Sequence, residues 1–360
     1  MENEKNTQKI VFEILKSGGF VSGASLAKKA GVSRSAVWKA VCSLRKAGWA
    51  IEAVTNRGYR LAEEKSSLNA EILRNRLAEI AKDSGISLEF FDSIDSTNNE
   101  LKRQAASVAA IRDAHGNLTD AGRRLHKKAA VSAEQTAGRG RLGRSFFSGR
   151  ENGVFMSLLF SPKNGVSDPA KMTANAAVAV CRALSALYGI EAQIKWVNDV
   201  FLNGKKICGI LTEGVLNLET GLIDAAIVGI GINIRAPEKI PDDIRAVAGF
   251  LEDSLDGRTV DKNRLVAAVL SELAALYDSE DADDAAEAQK CLAEYRTRSL
   301  LTGVTVQVSP VIGDEKTAYT ARVVGIADDL ALVVESADGE RRHLKCGEVS
   351  LSSVQIAAKK

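Results

Sequence analysis

The hydrophobic period changes twice along this chain, and one core cannot accommodate all three patterns. Apolar residues recur at helical spacing up to about residue 47. Strand-like and helical stretches then interchange from 88 to 299, and short alternating stretches follow Gly303. Three units are therefore expected, 1–64, 65–300 and 301–360, in a multidomain α+β chain of 360 residues.

Charge is divided in the same way. Residues 1–62 carry eleven Lys or Arg against four Glu, whereas the whole chain has a net charge of +2. Positive charge gathered at one end points to a polyanion-binding module fused to a more neutral body. The five cysteines have no CxxC spacing and the three histidines are far apart, which argues against a disulfide framework or a zinc site. No run approaches the ~18 apolar residues of a membrane span. The polar start, Met1-Glu2-Asn3-Glu4-Lys5, is unlike a secretory signal, so a cytoplasmic protein with reduced thiols is expected.

In the first unit Ile10, Val11, Ile14 and Leu15 define a helix ending at Gly18-Gly19. A short helix over 24–30 follows, then the turn Gly31-Val32-Ser33 and a third helix over 34–47. Ser33 can cap that helix, and Gly48 stops it. Val37, Val41 and Leu44 share one face; Arg34, Ser35, Trp38, Lys39 and Arg45 are left pointing outward. This is the pattern of a helix-turn-helix, whose second helix enters the DNA major groove. Alternating residues on either side of Asn56-Arg57-Gly58 add a β-hairpin wing. Arg34, Ser35, Trp38, Lys39 and Arg57 are the expected DNA contacts, with Arg60 on the same side. The alternative, a three-helix protein-interaction domain, leaves those cations unexplained. Residues 63–67 form a polar linker.

The second unit reads as a mixed sheet covered by helices on one face. Strands are expected over 88–91, 129–133, 153–160, 194–201, 206–215 and 222–234. Helices are expected over 68–80, 168–188, 261–277 and 285–299. Its strongest feature is Gly138-Arg139-Gly140-Arg141-Leu142-Gly143-Arg144. Glycines let backbone N–H groups approach a ligand, and three arginines in seven residues repel one another unless an anion lies among them.

Four motifs in order, Ser96-Thr97-Asn98, Glu134-Gln135-Thr136-Ala137 running into the Gly/Arg loop, Lys195-Trp196-Val197-Asn198-Asp199 and Gly229-Ile230-Gly231-Ile232-Asn233, resemble those of biotin–protein ligases. With the helix-turn-helix in front, nearly the whole chain resembles the bifunctional biotin ligase and biotin-operon repressor family. The resemblance implies biotin and ATP as substrates, with Mg²⁺, and biotinyl-5′-AMP as the intermediate. It implies a lysine of a biotin carboxyl carrier protein as acceptor, operator DNA as a partner, and a homodimer when biotinyl-AMP is bound.

By the same resemblance Ser96, Thr97, Asn98 and Gln135 bind biotin, with Arg139, Gly140, Arg141 and Lys195 at its carboxylate. Arg139, Arg141 and Lys195 are the catalytic residues it implies. Gly138, Arg144, Phe146 and Asn233 fall at the nucleotide, and Asp199 is the residue to hold a metal. Hydroxyls and an amide suit a neutral urea, which both donates and accepts hydrogen bonds. Taken alone, Ser96-Thr97-Asn98 also reads as a helix N-cap. Phe146 stands where the family has an adenine-stacking tryptophan, and Val197 where it has proline. Residues 103–128 exceed the family's needs and read as a surface insertion without an assigned function.

After Gly303 strands are expected over 304–308, 318–326, 330–335 and 340–344, and the family resemblance makes them a small SH3-like barrel. Competing readings are a lipoate–protein ligase, a ligand-sensing repressor without ligase activity, and a general RNA-binding protein. The last leaves Lys195-Trp196 without a role.

Overall fold

The structure is a computed structural model that describes residues 2–16, 18–46, 49, 51–61, 67–239, 242–282, 284–309, 318–345 and 348–350. Most of the expected linker 63–67, and the Gly48 helix stop, lie outside those residues.

The first unit comprises α1 (Glu2–Lys16), α2 (Gly23–Ala30), α3 (Arg34–Lys46) and the hairpin β1 (Ile51–Val54) and β2 (Gly58–Leu61). Val11, Leu15, Leu26, Val37, Val41, Leu44 and Ile51 close one apolar core. Ser22 caps α2 by accepting from Ser25 N at 3.1 Å, and Gly31 ends it with φ 66°. α1 begins well before Ile10, because its polar first turns have no apolar stripe to announce them. Arg45, expected outward, turns back and donates to Ile51 O at 2.9 and 2.6 Å, so it is a brace between α3 and the hairpin.

The second unit contains α4 (Ala70–Ile80), β3 (Ser87–Phe91), α5 (Thr97–Ala106), α6 (Asp120–Leu125), β4 (Lys128–Ser132), β5 (Gly153–Phe160), α7 (Pro169–Tyr188), β6 (Gln193–Lys195), β7 (Asp199–Leu202), β8 (Lys205–Leu216), β9 (Ile223–Asn233), α8 (Asp242–Val247), α9 (Lys262–Asp281) and α10 (Ala285–Thr297). Its seven strands run in the order β3-β4-β5-β9-β8-β7-β6, antiparallel except for the parallel pair β3–β4. Alternate residues face opposite sides of a sheet. Val154, Met156, Leu158 and Phe160 therefore join the main core with the Ala-rich α7 and with α9.

Both faces of the sheet are covered, not one. Leu159, Ala130, Ala225 and Ile227 meet Leu101 and Ala105 of α5, together with Ile111 and Leu125. Residues 103–128 are thus no loose insertion. Arg112 is buried there and donates to Lys163 O at 3.0 Å and to Pro162 O. Its carboxylate partner is Asp224, 3.6 Å away. The polarity of this segment hid a packed layer, because one buried arginine satisfying several carbonyls leaves no apolar period.

The single strand expected over 194–201 is two strands, β6 and β7, joined by a turn whose Trp196–Val197 peptide is cis. Trp196 is buried and donates to Leu330 O at 2.8 Å, which fastens the third unit to this turn. That unit is a five-stranded antiparallel sheet, β10 (Thr305–Ser309), β11 (Tyr319–Ile326), β12 (Leu332–Glu335), β13 (Arg341–Leu344) and β14 (Glu348–Ser350), in the order β13-β12-β11-β10-β14. Among the described residues no helix is long and apolar enough to cross a membrane.

Candidate functional site

Three adjacent strands build the floor of the site. Register pairs Gly209 with Gly231, Leu211 with Gly229, Ser157 with Gly229 and Phe155 with Gly231, so these residues share one face. The glycines leave a trough in that face. A Cβ on Gly229 would stand 2.2 Å from Asn98 Oδ1, and one on Gly231 would stand 2.6 Å from the Phe146 ring. Glycine is needed at both for close approach. Asn98 and Phe146 occupy the room these glycines leave.

Ser96 caps α5, as its sequence context also suggested, with its Oγ 3.5 Å from Asn99 N. This presents Thr97 and Asn98 at the trough. Gln135 Oε1 accepts from Thr97 N at 2.8 Å and from Thr97 Oγ1 at 3.1 Å, and Gln135 Nε2 donates to Ser148 Oγ at 3.2 Å. Ser157, fully buried on β5, donates to Thr97 Oγ1 at 2.7 Å and to Asn98 Oδ1 at 2.6 Å; either bond can form as the hydroxyl rotates. Asn98 in turn donates to Glu213 Oε2 at 2.8 Å, and Lys102 pairs with Glu213 at 2.6 Å. Ser157, Lys102 and Glu213 were not singled out in the sequence. The visible signal was a lone serine in the apolar run Gly153–Phe160.

Burial alone would raise the Glu213 carboxyl, but Lys102 and Asn98 outweigh it and hold it below the usual range. A carboxyl lowered by folding contributes stability above its unfolded pKa, and that contribution is lost as pH falls through the lowered folded value. Glu213→Gln is accordingly expected to cost a constant amount of urea resistance above about pH 5.5 and progressively less below about pH 4. A stability difference independent of pH would overturn this.

The opposite wall carries the cations. Arg141 donates to Asn198 Oδ1 at 2.9 Å, and Arg139 donates to Asn99 Oδ1 at 3.0 Å. Ser96, Thr97, Asn98, Gln135, Arg139, Gly140, Arg141, Phe146, Asn198 and Lys206 wall a cavity of about 60 Å³. Drug-sized ligands need ~300 Å³ or more, so Phe146 and the arginine loop must move for one to enter. A larger recess of about 250 Å³ lies between α7, α10 and the Asp328–Leu330 turn, and contains none of the motif residues expected at the ligand.

Lys195 is not at this wall; its ammonium lies 5.8 Å from the centroid of the Phe201 ring. The lysine that reaches the cavity is Lys206, with its Nζ 2.7 Å from Asp199 Oδ1. That contact is an ion pair without hydrogen-bond geometry. The reason is a bulge. Phe201 pairs with Lys206 but Val200 with Cys208, so β8 carries one extra residue. The bulge reverses the alternation, sending Ile207 to the core and Lys206 to the face of Gly209. Strict period-2 counting along β8 misses this.

Other expectations fall outside the cavity. Arg144 is not among its walls; its carbonyl accepts from Gly140 N at 2.7 Å. Asn233 donates to Lys206 O at 3.3 Å and to Gly249 O at 3.2 Å, bracing the strand that carries Lys206. Gly138 is sterically required, since a Cβ would lie 2.3 Å from Ser148 Oγ. Gly140 is not, because its nearest neighbour would be 3.5 Å away. Among the described residues no group of three or more His, Cys, Asp or Glu side chains could hold a metal by itself. One carboxylate, Asp199, is joined to the cavity through its ion pair with Lys206, and an Mg²⁺ carried on a triphosphate needs only one or two carboxylates.

In the first unit Arg34, Ser35, Trp38 and Lys39 form an exposed patch along α3, and Trp38 is 59% exposed. Arg57 is exposed at the hairpin turn.

The pattern of the Biotin/lipoate A/B protein ligase family matches residues 123–233, and an HTH domain matches residues 6–60. The chain is 34% identical over 266 residues to the bifunctional ligase/repressor BirA of Bacillus subtilis, covering 73% of this chain and 76% of that protein. With BirA of Escherichia coli it shares 29% identity over 344 residues, 95% of this chain and 96% of the other. The Aquifex aeolicus biotin protein ligase, solved in complex with biotin and ATP, superposes with a TM-score of 0.58 at 26% identity, over 74% of this chain and 98% of that one. The chain belongs to the family of bifunctional biotin ligases and repressors.

Proposed function

We infer that this protein activates biotin with ATP, transfers it to a lysine of a biotin carboxyl carrier protein, and represses transcription from an operator. The observation that carries the catalytic half is one cavity joining a urea-compatible end, Ser96, Thr97 and Gln135, to a cationic end, Arg139, Arg141 and Lys206. Thr97 and Gln135 already hold each other in place. A ureido ring exchanging for that contact meets hydroxyl and amide groups that donate and accept.

At the cationic end a biotin carboxylate oxygen attacks the α-phosphorus of ATP, and the bond to pyrophosphate breaks. The mixed anhydride biotinyl-5′-AMP results. The amine of the acceptor lysine then attacks the acyl carbon, loses a proton, and AMP departs. Arg139, Arg141 and Lys206 stabilise negative charge spread over the phosphoryl oxygens. Mg²⁺, when bound beside Asp199, would neutralise charge on the phosphates. Phe146, which borders the glycine trough, is the ring read as stacking on a base once the cavity has opened. Incubation with biotin, ATP and a carrier domain, read by intact mass, tests the reading; an unmodified carrier refutes it. Lipoate in place of biotin tests the alternative substrate.

The arginine loop closes over the ligand in this reading. Gly140→Ser is expected to leave the melting temperature nearly unchanged, because the free loop has room for the side chain. Biotin dissociation should accelerate by about tenfold or more as closure is obstructed. Unchanged dissociation would refute the loop's role.

For repression, Trp38 and its cationic neighbours on α3 face the major groove. Trp38→Ala is expected to cost about 1–3 kcal/mol of operator discrimination while binding to arbitrary duplex keeps its salt dependence. Lost non-specific binding with retained discrimination would reverse that assignment. Two half-sites call for a dimer. The register of β7 on β8 ends at Gly209 and Asn198 takes both backbone groups of Ile210, so the edge left for pairing with a second copy is β8 beyond Ile210. Biotinyl-AMP, by ordering the adjacent loops, would favour that dimer. Sedimentation with and without biotinyl-AMP tests this. The C-terminal sheet is read as an SH3-like barrel that braces the Trp196 turn, and the cytoplasm as the location.

A further inference from the structure

In the wing of the first unit a backbone bridge brings an aromatic ring against two arginines. Val21 N donates to Tyr59 O at 2.7 Å and Tyr59 N to Val21 O at 2.9 Å, so the segment before α2 is bridged to β2 at this one residue pair. Gly58 permits this closeness, since a Cβ there would stand 2.2 Å from Val21 O. The pairing sets Phe20 beside the wing arginines. The Arg57 guanidinium lies 4.3 Å from the Phe20 ring centroid and that of Arg60 lies 4.7 Å from it. The two differ in their other partners. Arg60 is ion-paired with Glu52 at 2.7 Å on the neighbouring strand. Arg57 is exposed at the turn, and no carboxylate pairs with it among the described residues.

We propose that Phe20 is a positioning residue for DNA: its ring holds the Arg57 guanidinium pre-oriented at the wing tip to contact a backbone phosphate. The inference rests on the DNA-binding reading of the first unit. An arginine at a three-residue turn loses side-chain freedom when it binds a phosphate. A ring that already restrains the guanidinium removes part of that cost, while the outward N–H groups stay available. The Glu52-paired Arg60 takes the same ring, so the platform is fixed from the strand side even when Arg57 is engaged. Phosphate contacts carry no sequence information, so the effect belongs to affinity and salt dependence rather than to operator choice.

The test measures binding of the full-length protein to a fluorescein-labelled 40-base-pair duplex of arbitrary sequence across a salt series. Phe20→Leu, Phe20→Trp, Arg57→Ala and the double variant Phe20→Leu/Arg57→Ala are compared with wild type. Arg57→Ala should flatten the log-affinity against log-salt slope by about 0.9, one phosphate. Phe20→Leu should weaken binding at low salt by about two- to fivefold and flatten the slope part of the way, and Phe20→Trp should restore both. In the Arg57→Ala background Phe20→Leu should add nothing, which separates positioning from loss of fold. Additive losses in the double variant, or a Phe20→Leu protein with wild-type affinity and slope, overturn the proposal alone. A wild-type protein without measurable affinity for the duplex removes the DNA reading, and the proposal with it.

Discussion

Lys206→Ala should form biotinyl-AMP about 10²–10³-fold more slowly than wild type, whereas Lys195→Ala should keep most of its rate. Both lysines are in or near the same motif, and the motif's first residue was the expected catalytic lysine. Geometry favours the other. Lys206 walls the cavity with Arg139 and Arg141, while the Lys195 ammonium rests against Phe201. A cation aimed at charge that develops during phosphoryl transfer lowers the barrier. Pyrophosphate release in a single turnover measures the first step directly. A folded Lys206→Ala protein with near-normal release, or a collapse of rate in folded Lys195→Ala, would restore the sequence expectation.

Gly229→Ala should damage the site with a single methyl. The new Cβ would stand 2.2 Å from Asn98 Oδ1 and 2.9 Å from its Cγ, so Asn98 must leave the trough. Its departure breaks its bonds to Ser157 and Glu213, and Ser157 is also the partner of Thr97. Overpacking of this kind costs about 1–3 kcal/mol, and the polar groups left without partners add to it. We expect a lower melting temperature together with biotin affinity reduced by about tenfold or more. A Gly229→Ala protein with wild-type melting and biotin affinity would mean that Asn98 has another place to go.

The motif residues come together in the fold. Ser96, Thr97, Asn98, Gln135, Arg139, Gly140, Arg141 and Phe146 all meet at one cavity although they span fifty residues of chain. Arg144, Asn233 and Lys195, also expected at the ligands, are not among its walls. Ser157, Glu213 and Lys102 support the site and had no motif to mark them, because each acts through another side chain rather than on a ligand.

What the sequence determined by itself was periodic or local. Helical spacing set α1 to α3, and the apolar runs set β5, β8 and β9. Short-range chemistry set the caps at Ser22, Asn69, Ser96 and Asp168. These follow from interactions within a few residues, which a linear pattern records. Tertiary structure alone decided the rest. It placed Arg112 inside a second layer, where burial among carbonyls counts for more than its polarity. It also put Lys206 rather than Ile207 on the ligand face, since a one-residue bulge between β7 and β8 inverts every side chain before it and leaves no mark in composition.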